Sequence, residues 1–107
     1  MSGITTHVLD TAKGRPANGV KIWLDVLRGT TWETVGTGST DADGRLRTLT
    51  EGVPLEVAIY RLTFSTGAYN NGFFPEVAIV FKVDDVSQHY HVPLLLSPFG
   101  YSTYRGS

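Results

Sequence analysis

At 107 residues the chain is one domain long, enough to bury about two-thirds of its unfolded surface without staples. It has no cysteine, which excludes disulfides, thiol nucleophiles and cysteine-ligated metals, and its nine basic and ten acidic residues give a formal charge of −1 with no basic cluster, which excludes a nucleic-acid footprint. No stretch approaches the roughly 20 apolar residues of a membrane span and the opening residues form no leader, so a soluble cytoplasmic protein, with no membrane contact, is expected.

Ile4 to Asp10 reads as a first strand, with Ile4, Thr6, Val8 and Asp10 on one face and Thr5, His7 and Leu9 on the other. Lys13 to Gly19 is turn-rich. Val20, Ile22, Leu24 and Val26 then alternate with Lys21, Trp23, Asp25 and Leu27, the pattern of a half-buried strand. Thr31 to Thr37 has the β-branched and aromatic content of a third strand. Asp41-Ala42-Asp43-Gly44 is a turn whose aspartates can hold backbone amides two residues on, and Arg45 to Leu49 leaves it as a short fourth strand. Read as a calcium loop, the same stretch would put Ser39 and Thr50 where carboxylates are required, so it is a turn.

Leu55 to Ser65 alternates as a longer strand with Ala58, Tyr60, Leu62 and Phe64 inward, and Thr66 to Gly72 has room for one short helix. Val77, Ile79, Phe81 and Val83 mark the next strand. From Gln88 to Ser97, Tyr90, Val92, Leu94 and Leu96 share one face while His89, His91, Pro93, Leu95 and Ser97 share the other. Pro93 cannot donate to a ladder, so the pairing must break there or leave that edge free. Tyr101 to Arg105 is the last strand. About eight strands with turns every eight to twelve residues predict an all-β antiparallel sandwich in a single domain, 1–107.

Three separated motifs carry a further signal. His7-Val8-Leu9-Asp10 with Gly14-Arg15-Pro16-Ala17, then Asp43-Gly44-Arg45, then His89-Tyr90-His91-Val92-Pro93 running on to Tyr104-Arg105-Gly106-Ser107 occur in the order found in the transthyretin-related 5-hydroxyisourate hydrolases, and together they cover most of the chain. The sequence closely resembles that family. The resemblance implies a transthyretin-like fold, two four-stranded sheets with one short helix, assembled as a homotetramer, a dimer of dimers. It implies hydrolysis of 5-hydroxyisourate, the first urate oxidation product, to 2-oxo-4-hydroxy-4-carboxy-5-ureidoimidazoline. It also implies a site at the interface between dimers in which His7, Arg45 and His91 are catalytic and Tyr104, Arg105 and Ser107 bind substrate, with no cofactor and no metal.

The chemistry agrees with those residue types. Opening a cyclic amide at neutral pH needs a group to take a proton from water and a cation to hold the developing oxyanion; histidine suits the first task and arginine the second. Taken singly, each of these residues has an ordinary reading: a satisfied strand histidine, a solvated arginine after a turn, a packed tyrosine, a loose terminus. His89 shares the face of His91 and is read as its neighbour. His89-x-His91 with His7 also has the form of a three-histidine zinc site, although no fourth ligand is specified and a water-activating imidazole pair uses the same residues. The rival function is a transthyretin-like carrier of a small hydrophobic hormone in the inter-dimer channel, for which small or apolar channel residues, and not His7, Arg45, His91 and Tyr104, would be required.

Overall fold

The structure, a computed structural model, describes residues 3–107, and among these it contains nine strands and one helix. In chain order they are β1 (Gly3–Asp10), β2 (Arg15–Pro16), β3 (Lys21–Arg28), β4 (Thr31–Ser39), β5 (Arg45–Leu46), β6 (Ala58–Phe64), α1 (Thr66–Asn70), β7 (Val77–Val83), β8 (His89–Ser97) and β9 (Gly100–Thr103). One sheet has the order β2-β1-β8-β9, with β5 also pairing to β1, and the other has the order β4-β3-β6-β7.

The period-two patterns decide which faces meet. Ile4 and Val8 of β1, Ile22, Leu24 and Val26 of β3, Leu62 and Phe64 of β6, and Leu94 and Leu96 of β8 are buried together between the sheets. Each fully buried aliphatic or aromatic side chain contributes about 1.5–3 kcal/mol relative to exposure, so the alternation is what drives the two sheets together. Thr6 shares this interior, where its hydroxyl donates to the Val92 carbonyl at 2.6 Å. The sandwich and its single short helix are as the sequence predicts.

Several details differ. β1 runs parallel to β8, from Gly3↔His89 to Asp10↔Leu96, so one seam of the sandwich departs from the antiparallel pattern; a strand from each end of the chain meets here, and no hairpin constrains their direction. The predicted strand at Arg45 to Leu49 shrinks to two residues. Leu46 and Leu49 are both buried, a spacing of three that a strand cannot supply, and the chain turns through Thr48–Glu51 and Thr50–Val53 hydrogen bonds to achieve it. The strand expected from Leu55 begins at Ala58, and Arg15–Pro16 makes a two-residue strand inside the expected turn region.

The last strand ends at Thr103, leaving Tyr104 and Arg105 outside it, and the cause is Pro93. The β8–β9 register runs Ser97↔Gly100 to Leu94↔Thr103, lapses opposite Pro93, which has no N–H to offer, and resumes as a single bridge at His91↔Gly106. The Pro93 carbonyl instead accepts the Thr103 hydroxyl at 2.7 Å.

Candidate functional site

Backbone register assembles the site on the outer face of the larger sheet. β5 lies antiparallel to β1 with Arg45 opposite His7, and β8 lies parallel with His91 beside Thr5 and His89 beside Gly3. Paired residues point to the same side of a sheet. Ile4, Thr6 and Val8 face inward, so Thr5 and His7 face outward, and Tyr90 and Val92 inward put His89 and His91 outward beside them. The rings of His7 and His91 lie 6.5 Å apart, tilted by 37°.

The turn before β5 is built to deliver Arg45. The Asp41 carboxylate accepts the backbone N–H groups of Asp43 and Arg45 at 2.9 and 3.0 Å. These hydrogen bonds, that from Arg45 foremost, hold the Asp41 carboxyl below its ordinary range. Gly44 closes the turn with φ of +75° and its carbonyl accepts Val8 N–H at 2.7 Å. A Cβ there would lie 2.4 Å from the Val8 carbonyl oxygen, so only glycine lets the turn dock on β1 and bring Arg45 to His7.

Beside these residues is an open cleft of about 490 Å³ lined by Thr5, Arg45, Arg47, Glu51, His89, His91 and Ser107 among others. Its lining holds two guanidiniums and one side-chain carboxylate, which makes it a place for a ligand with electron-rich oxygens. His91 titrates below its ordinary value, first because it is partly buried and then because Arg45, His7 and His89 disfavour a further positive charge. A neutral imidazole at neutral pH is the consequence.

The chain terminus divides. Gly106 N–H donates to the His91 carbonyl at 2.8 Å, and Ser107 reaches the cleft. A Cβ on Gly106 would sit 2.7 Å from His91 Cδ2 and 3.2 Å from Pro93 Cγ, so glycine here is a matter of close approach. Arg105 turns away: its Nη2 donates to Gln88 Oε1 at 2.8 Å and its guanidinium lies 4.4 Å over the Tyr90 ring. Tyr104, exposed, borders a separate groove of about 250 Å³ with Ile79, Val80, Phe81 and Lys82. Within one subunit, then, His7, Arg45, His91 and Ser107 are together, and Tyr104 and Arg105 are not with them.

Thr5, Arg47 and Glu51 complete the lining without having been singled out as site residues. Thr5 was readable as the i−2 neighbour of His7 on the outward face of β1; Arg47 lies just past the end of β5 and Glu51 arrives by a turn, and neither leaves a periodic trace. Among the described residues no three histidine or carboxylate side chains come close enough together to hold a metal ion, so the three-histidine zinc arrangement is not formed.

The sequence profile of the HIUase/Transthyretin family matches residues 4–106. The uric acid degradation bifunctional protein TTL of Arabidopsis thaliana is 49% identical over 97% of this chain, which spans only 37% of that protein's length. The 5-hydroxyisourate hydrolase of Caulobacter vibrioides is 46% identical with both chains covered in full. Among solved structures, Klebsiella pneumoniae 5-hydroxyisourate hydrolase superposes with a TM-score of 0.86 at 38% identity, covering all of both chains. Sea bream transthyretin in complex with thyroxine superposes at 0.89 with 32% identity, covering 96% of this chain and 93% of that one.

Proposed function

The chain belongs to the HIUase/Transthyretin family, and on that premise we propose that it is a 5-hydroxyisourate hydrolase acting in urate degradation, its 107 residues forming one hydrolase domain. The observation that carries this reading is the convergence of His7, Arg45 and His91 on one wet sheet face through β1, β5 and β8. His7 and His91 activate and orient water, passing its proton between them. The water oxygen adds to a ring carbonyl of the substrate, the adjacent ring C–N bond breaks and the leaving nitrogen takes the proton, which opens the six-membered ring to a ureido group and a carboxylic acid that ionises to the carboxylate by losing water's second proton to solvent. Arg45 binds the carbonyl oxygen and stabilises the negative charge that develops there, the kind of group whose loss costs about 10²–10³-fold in rate. Ser107, in the cleft, hydrogen-bonds the substrate.

The carrier reading fares worse on the same face. A hydrophobic hormone would have to bury against Arg45, Arg47 and the imidazoles of His89 and His91, and desolvating charged groups without partners costs several kcal/mol. Urate-derived rings, rich in carbonyl oxygens, repay that desolvation.

Assembly as a homotetramer, a dimer of dimers, belongs to this reading. β7 and β9 end their sheets with unpaired edges, and the groove beside them exposes Val80 and Tyr104, the surface an isolated sandwich has reason to cover. Tyr104 and Arg105, at the rim of the subunit, close the pocket and contact substrate where subunits meet. No helix among the described residues is long and apolar enough to cross a membrane, and a cytoplasmic enzyme fits the reading. The test is the ultraviolet decay of freshly made 5-hydroxyisourate with and without the protein: acceleration is expected, and decay at the spontaneous rate refutes the assignment. Sedimentation at assay concentration then separates the shared site from an active monomer.

A further inference from the structure

The outward hydroxyl of Thr5 lies 2.8 Å from His91 Nδ1 and 2.8 Å from His89 Nε2, bridging the two rings. A hydroxyl has one proton, so it can donate to one of these nitrogens and must accept from the other. The proton positions on His89 and His91 are therefore not independent. Register makes the bridge: parallel pairing sets Thr5 beside His91 and two residues past the Gly3↔His89 pair, so one side chain of β1 reaches two alternate side chains of β8.

The direction of the bridge follows from His89. It is exposed, and both as an imidazolium and in the Nε2–H tautomer favoured by imidazole in water it carries a proton on the nitrogen that faces Thr5. In those states Thr5 accepts from His89 and its own proton must point to His91 Nδ1. His91, kept neutral by its burial and by Arg45, His7 and His89 around it, then holds its single proton on Nε2. His91 is thereby a donor toward the site. Among the described residues no hydrogen bond engages the ring of His7, 6.5 Å away, which leaves that ring free to take a proton from water.

We propose that Thr5 and His89 are positioning residues that fix the Nε2–H tautomer of His91, so that His91 donates to the substrate and His7 is the general base. The division of labour rests on the hydrolase reading, whereas the tautomer itself is a property of the resting protein and is measured without substrate.

Long-range proton–nitrogen correlation of the histidine rings in ¹⁵N-labelled protein, recorded above the titration of His91, reads the tautomer directly. Wild-type protein is expected to show the His91 proton on Nε2. His89→Glu supplies a carboxylate that can only accept, so Thr5 must donate to it and accept from His91. The His91 proton is then expected on Nδ1, with kcat reduced about tenfold, less than the roughly 10²–10⁴-fold that outright loss of a general acid or base costs because the imidazole itself stays in place, and KM little changed. Adding Thr5→Val removes the hydroxyl that relays the signal and is expected to return the proton to Nε2, while Thr5→Ser in place of Thr5→Val keeps the flip. Because His89 is exposed, His89→Glu alone tests the coupling even if Thr5→Val fails to fold. A wild-type His91 protonated on Nδ1, or a His89→Glu protein with the tautomer unmoved, overturns the proposal. Absent hydrolysis with the tautomers as expected would instead sink the hydrolase reading and leave the relay standing.

Discussion

The outer faces of the two sheets carry the same device, polar residues in cross-strand register, with opposite results. On the smaller sheet, Asp25 of β3 lies opposite Thr34 of β4 and Arg61 of β6. Its carboxylate accepts from the Thr34 hydroxyl at 2.7 Å and from Arg61 Nη2 at 2.8 Å, and Arg61 also lies 4.3 Å over the Trp32 ring. The charges of Asp25 and Arg61 are thus matched to each other. On the larger sheet, Arg45, His7 and His91 meet, with Arg47 and His89 nearby and Glu51 supplying the one side-chain carboxylate of the cleft lining. The first network is closed and holds the sheet together; the second is open, and its unmatched cations and the ring of His7 are available to a ligand.

The open site depends most heavily on the chain terminus. Deleting Tyr104 to Ser107 is expected to abolish turnover while circular dichroism still reports a folded sandwich, because the loss spares the buried rows Ile22 to Val26 and Leu94 to Leu96. Gly106→Val pushes a side chain into His91 and is expected to act as a milder truncation, with substantial activity lost and folding retained. Near-normal turnover in the truncated protein would show that the tetrapeptide does not contribute to the site.

Next in size, His7→Ala, His91→Ala and Arg45→Ala are each expected to slow hydrolysis by roughly 10²-fold or more, with melting temperatures within a few degrees of wild type. Steady-state kinetics beside thermal melts check this. The opposite sheet predicts the reverse pattern. Asp25→Ala strands Arg61 without its acceptor and is expected to cost about 1–3 kcal/mol of stability, toward the lower end because solvent reaches Arg61, with hydrolysis unaffected below the melting transition. If Asp25→Ala impaired turnover as strongly as His91→Ala, the contrast between a structural and a chemical face would fail.

A smaller effect follows from the depressed His91 titration. The folded protein binds a proton at His91 less readily than the unfolded chain does, so stability rises with pH in this region. Its contribution is complete above the ordinary value of about 6.5 and is lost as pH falls from there toward the folded-state value. Denaturant titrations of wild type and His91→Gln across that window should converge at the high end and separate below it. Smallest of all, exhaustive chelation is expected to leave the rate unchanged, because imidazole and guanidinium supply the proton transfer and charge stabilisation; zinc-dependent recovery of a chelated protein would reverse that expectation.

Alternation by itself determined most of the sandwich, since burying Ile22, Leu24 and Val26 on one side and Tyr90, Val92, Leu94 and Leu96 on one side leaves each strand a single orientation. It likewise put His7 with Thr5, and His89 with His91, on shared faces, and the Asp41–Gly44 turn was legible from its aspartates and glycine. What no period contains is which strands become neighbours. The parallel pairing of β1 with β8 and the docking of β5 on β1 join residues about 40 to 85 positions apart, and that non-local choice alone placed Arg45 opposite His7 and the Thr5 hydroxyl between two imidazoles. The terminus shows the same limit in reverse: Pro93 announced a missing donor, but only the tertiary structure showed that the lapse frees Tyr104 and Arg105 from the sheet while Gly106, small enough to lie against the His91 ring, brings Ser107 back to the cleft.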